Sequence, residues 1–96
     1  GLEKNVAEAA ALKDGNELVK YGAVYASMGQ HDKAVELIEK GIAKGGLKRP
    51  DDAKLRLALA MAHNPKTKAN GLQALRQVGG TDGTAEIAKL YTVVMQ

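Results

Sequence analysis

Three times along the chain a large apolar residue is followed by a small one and, after two further positions, by another large one. The three copies are Tyr21-Gly22-x2-Tyr25, Leu57-Ala58-x2-Met61 and Ile87-Ala88-x2-Tyr91. On an α-helix these positions share one face. A small residue there lets a second backbone approach closely, while the large ones fill the space on either side. The small positions are separated by 36 residues (22 to 58) and 30 residues (58 to 88). A helix-forming signature recurring at such a period predicts a helical repeat array rather than one central core.

The first copy is the fullest. Leu18, Tyr21, Gly22 and Tyr25 recur at i, i+3, i+4 and i+7, and so do Ala34, Leu37, Ile38, Gly41 and Ile42 in the following segment. Met28-Gly29-Gln30-His31 separates the two segments, which predicts an antiparallel helical hairpin. The string Leu18-x2-Tyr21-Gly22-x2-Tyr25, Gly29 at the turn, then Ala34-x3-Ile38-x2-Gly41 resembles the tetratricopeptide repeat, a helix-turn-helix unit of about 34 residues. Gly41 stands where the family usually has alanine, and Gly46 where proline is common. The resemblance implies an all-α fold: a right-handed superhelical array of antiparallel helix-turn-helix hairpins, about six helices in one domain. LKRPDDAKLRLALA and GGTDGTAEIAKLY also resemble stretches of bacterial repeat proteins, which implies the C-terminal repeats of a longer bacterial chain.

In chain order, residues 1–12 read as an Ala-rich leading helix, either a cap or the second helix of a preceding repeat. Repeat one covers 14–45, with Asp14 and Glu17 spaced as a capping box and Asn16 as the alternative N-cap. Gly45-Gly46 should stop its second helix, with Lys44 complementing the helix dipole. A degenerate repeat two covers 50–79. Its first helix is expected over about 51–63, and its second over about 65–78, with Asn64 capping and Pro65 at the first helical position. There Gly71, Leu75 and Val78 take the slots of Ala34, Ile38 and Gly41. After Gly79-Gly80, Thr81 or Thr84 should cap a last helix that closes the stack.

Composition narrows the function. The three tyrosines are the only aromatic residues, so the core must be built from Leu, Ile, Val and Ala. No apolar run approaches the ~20 residues that span a bilayer. With no cysteine, disulfides and thiol chemistry are excluded, and the compartment stays open between bacterial cytoplasm and periplasm. His31 and His63 are the only histidines and Ser27 the only serine. Both histidines fall at helix ends without a ligand-spaced partner, and the Gly-Gly pairs lack the lysine and strand of a phosphate loop. No catalytic group, metal site or cofactor is expected; the chain reads as a non-enzyme.

Charge is uneven. Residues 44–76 hold Lys44, Lys48, Arg49, Lys54, Arg56, Lys66, Lys68 and Arg76 against Asp51 and Asp52. This segment is either a solvated face or a weak contact for an acidic protein or polyanion. The lack of interleaved aromatics argues against nucleic acid.

The resemblance implies a protein–protein interaction module, because in this family the first helix of each repeat lines a concave peptide-binding groove. Carried over by position, the groove would hold Asn16, Val19, Ala23, Ala26 and Ser27 from repeat one. Repeat two would add Asp52, Leu55, Leu59, Ala62 and His63, and the last helix Ala85, Lys89 and Thr92. Val19 and Ala23 occupy two slots of the clamp some members use for acidic peptide tails, so an apolar or amphipathic segment is the expected partner. Leu55 and Leu59 lie off the hairpin face, and a helix apolar on two sides is either buried or sticky. They are thus groove or core, and self-association through them, or a role as a structural cap, is the rival reading.

Overall fold

The computed structural model describes residues 1–95, and among them there are six helices and no strand. The helices are α1 (Leu2–Ala10), α2 (Asn16–Ser27), α3 (His31–Lys44), α4 (Pro50–Ala62), α5 (Lys68–Arg76) and α6 (Thr84–Val94). The fold is all-α, as the repeated helical signature requires. The chain divides into two compact units, Gly1–Lys48 and Arg49–Gln96, at the junction between the two expected repeats.

In the first unit, α2 and α3 form an antiparallel hairpin whose register is set by glycine. A methyl group on Gly22 would meet Ile38 and the Ala34 carbonyl, while Gly41 lies against Gly15 and Val19 at the other end. Leu18, Leu37 and Ile38 are fully buried in this contact, each contributing about 1.5–3 kcal/mol of apolar burial. The turn uses Gly29 at φ 79°, with the Gln30 amide donating to the Tyr25 carbonyl at 3.0 Å, the six-to-one bond of a Schellman ending. Gly45 and Gly46 stop α3 at positive φ. Lys44 does more than complement the dipole, because its Nζ donates to the Leu12 carbonyl at 2.8 Å and ties α3 to the α1–α2 link. Ala9 buries one face of α1 where it packs on α2.

In the second unit, α4 and α5 repeat the arrangement with Gly71 against Ala58 and Ala62. Helix α6 packs on both. Leu55, Ala58, Ala62, Leu75, Val78 and Ala88 form the core, with Leu59, Leu72, Ala74 and Met95 half-buried around it. Gly22, Ala58 and Ala88 are all buried, so the three copies of the signature each place their small residue inside. They differ in what covers it. Gly22 and Ala58 are covered by the helix that follows them, whereas Ala88 is enclosed by the core before it.

Two expected boundaries are corrected. Helix α5 begins at Lys68, not at Pro65, because Asn64 turns its side chain back onto the Lys66 amide (3.0 Å) and its carbonyl accepts from the Thr67 amide (3.0 Å). That closes a separate turn over Pro65. The Thr67 hydroxyl then donates to the Met61 carbonyl (2.7 Å), holding the turn to the end of α4. Neither Thr81 nor Thr84 caps α6. Gly83 is the N-cap, at φ 90°, and Asp82 just before it accepts from the Thr84 amide at 3.1 Å and from the Thr84 hydroxyl.

Candidate functional site

The residues expected to line a groove are largely spent on the hairpins themselves. Asn16 uses both ends of its amide. Its Nδ2 donates to the Gly46 carbonyl (3.1 Å) and to Asp14 (3.0 Å), and its Oδ1 accepts from the Lys48 amide (3.0 Å). Val19 packs against Gly41 of α3. The Ser27 hydroxyl donates to the Val24 carbonyl one turn back (2.6 Å). Ala23 and Ala26 are half-buried and offer little surface.

In the second unit the second apolar face of α4, open in the sequence between groove and core, is turned into the core. Leu55 is 7% exposed and Ala62 3%, and both belong to the core shared with Leu75, Val78 and Ala88. Leu59 is half-buried against the same core. Helix α4 is apolar on two sides because α5 covers one side and α6 meets the helix as well. His63 is exposed at the C-terminal cap of α4, and the Asp52 carboxylate accepts from Arg56 at 2.8 Å. On α6, the hydroxyl of buried Thr92 bonds to the Ala88 carbonyl (3.0 Å), Ala85 is half-buried, and Lys89 is exposed.

The exposed apolar surface that sequence reasoning missed is also on α6. Ile87 (45% exposed), Leu90 (66%), Tyr91 (40%) and Val94 (77%) stand at i, i+3, i+4 and i+7, with Val93 (74%) beside them. They form a stripe about 10 Å long on the flank of α6 next to the face that buries Ala88 and Thr92. The signal was present in the sequence, since Ile87 and Tyr91 are the large positions of the third signature. In the earlier copies Tyr25 is buried, and Tyr21, Leu57 and Met61 are half-buried. In the third copy, among the described residues, no helix lies over the equivalent pair.

Electrostatically the basic segment is partly consumed. Arg49 pairs with Asp82 (3.0 Å), Arg56 with Asp52, and Lys44 with a backbone carbonyl. The Thr84 hydroxyl, then Arg49 and the Thr84 amide, hold the Asp82 carboxyl down to about 2. That bridge joins the loop before α6 to the start of α4. Among the described residues no group of three His, Asp or Glu converges in a way that could hold a metal ion. None of the described helices is long and apolar enough to cross a membrane.

Compared with known proteins, the chain matches no protein-family model, no curated protein and no solved structure.

Proposed function

We propose that this chain is a stretch of tetratricopeptide-like repeats from a larger bacterial protein. In this reading its hairpins belong to a right-handed array, and it acts as a protein–protein interaction module rather than an enzyme. It receives an amphipathic helix of another protein on the exposed face of α6. The observation that carries this reading is the stripe of Ile87, Leu90, Tyr91 and Val94. Contiguous exposed apolar surface on the order of a few hundred Å² is costly in water and characteristically marks a contact site. Its i, i+3, i+4, i+7 spacing matches the anchors by which helices dock on helices. The stripe takes the place of the concave groove as the binding surface, because the leucines assigned to that groove serve the core.

The test is a titration followed by backbone amide NMR. The probe is an acetylated, amidated helical peptide with leucines at i, i+3, i+4 and i+7. Saturable shifts confined to 87–94, abolished by Ile87→Ser with Tyr91→Ser, support the reading. Shifts spread over both units, or binding unchanged in the double variant, would sink it.

A further inference from the structure

We infer that the second unit carries a binding cleft for a small aliphatic carboxylate between α4 and α5, in the space that the first unit fills with its own leucines. The cleft has a volume of about 320 Å³ and is lined by Leu57, Ala74 and Val78, with Lys54 and Gln77 exposed beside them. Small-molecule sites typically measure about 300–1,000 Å³, so this one has room for a short apolar chain and little more.

The two hairpins show what is missing there. Aligned on Gly22 with Ala58 and on Ala34 with Gly71, the lining residues Lys54, Leu57, Ala74 and Val78 correspond to Leu18, Tyr21, Leu37 and Gly41. In the first unit Leu18 and Leu37 are each 1% exposed, so both side chains are spent filling the hairpin. In the second unit an alanine replaces one leucine and the exposed Lys54 replaces the other, while the shorter Leu57 stands for Tyr21. Val78 is larger than Gly41 but does not close the gap, since the cleft remains beside it. An aliphatic chain entering this hollow gains by leaving water, as the leucines do in the sister hairpin.

Lys54 sets the polar end of the ligand. It makes no hydrogen bond or ion pair among the described residues. The acids of α4 and of the loop before α6 are turned elsewhere: Asp52 to Arg56 (2.8 Å), Asp82 to Arg49 (3.0 Å), and Asp51 against Gly80. A flexible ammonium beside an apolar hollow selects an anion with a hydrophobic body. With one cation and no second basic side chain lining the cleft, a singly charged carboxylate is matched and a doubly charged phosphate is not. The inference stands apart from the α6 stripe, which lies on another helix.

The probe is hexanoate, titrated into the intact protein and followed by amide and methyl NMR. Expected are saturable shifts at Leu57, Ala74 and Val78. They should be absent with acetate, which has no tail, and with hexylammonium, which has the opposite charge. Lys54→Gln should weaken hexanoate severalfold and leave the melting temperature unchanged, because Lys54 is exposed. Lys54→Leu with Ala74→Leu restores the residues of the first unit, so it should raise the melting temperature and abolish the shifts. Hexanoate that gives no saturable shifts at these residues, or acetate or hexylammonium that matches it, would overturn the inference. So would unchanged binding in Lys54→Gln, or a lower melting temperature in the double variant. A peptide ending in a leucine carboxylate that binds more tightly than hexanoate would assign the cleft to a protein terminus and overturn the free acid. Failure of the leucine peptide on α6 would leave this cleft standing, because that peptide is read at 87–94.

Discussion

Gly15 and Gly41 meet backbone to backbone. A methyl group built on Gly15 would lie 1.8 Å from the Gly41 carbonyl oxygen and 2.6 Å from its Cα, and one on Gly41 would lie 2.8 Å from the Gly15 carbonyl. This contact joins the start of α2 to the end of α3, so neither main chain can yield without opening the hairpin. It also accounts for glycine at 41, where the resembled repeat usually has alanine. Gly15→Ala should destabilise the first unit by about 3 kcal/mol or more, and Gly41→Ala by about 1–3. Gly22→Ala should cost less than Gly15→Ala, because the nearest obstacle is the Ile38 side chain. Urea unfolding of the three variants gives the order.

Leu55 decides between groove and core. At 7% exposure in the cluster with Leu75 and Ala88, Leu55→Ala should cost about 2–4 kcal/mol. Leu59→Ala, half-buried at its edge, should cost less. Chemical denaturation monitored by circular dichroism checks both. A Leu55→Ala protein as stable as the parent would return that residue to the surface.

Asn16 acts as a clamp on the loop after α3. Asn16→Ala removes its bonds to the Gly46 carbonyl and the Lys48 amide. Both are solvent-accessible bonds, so the expected loss is about 1–2 kcal/mol. Hydrogen exchange at the Lys48 amide should quicken by about tenfold, while the Gln30 amide in the opposite turn keeps its protection. Asn16→Asp should not rescue, because it keeps the acceptor but sets a second carboxylate beside Asp14.

Asp82 makes the second unit acid-sensitive. Its carboxyl titrates at about 2 in the folded chain, against roughly 4 when unfolded. A depressed carboxylate stabilises the fold above the unfolded value and loses that contribution as pH falls from roughly 4 towards 2. The melting temperature of the parent should therefore exceed that of Asp82→Asn at neutral pH, and the gap should close by about pH 2. Because the Arg49–Asp82 pair is exposed, salt should narrow the gap as well.

Helix positions and the hairpin turn were legible from the chain alone, because periodicity and glycine act locally. Leu18, Tyr21, Gly22 and Tyr25 mark α2 whatever surrounds it, and Gly29 supplies a positive φ that few other residues tolerate. Caps were less legible. Asp82, Thr81 and Thr84 all favour helix starts, yet the N-cap of α6 is Gly83 at positive φ, with Asp82 beside it held by the Thr84 amide and by Arg49, 33 residues away. Asn64 looked like a cap for a helix at Pro65 but closes a turn of its own, with Thr67 reaching back to α4.

What the sequence determined by itself is therefore the run of helical segments and the small residue that α2, α4 and α6 each turn inward, at Gly22, Ala58 and Ala88. Only the tertiary structure decided which apolar faces are used up. Leu55 and Ile87 look alike as letters in amphipathic segments, yet one is enclosed in the core and the other stands in water. A periodic pattern states that a face needs covering; whether another helix arrives to cover it depends on contacts between residues far apart in the chain.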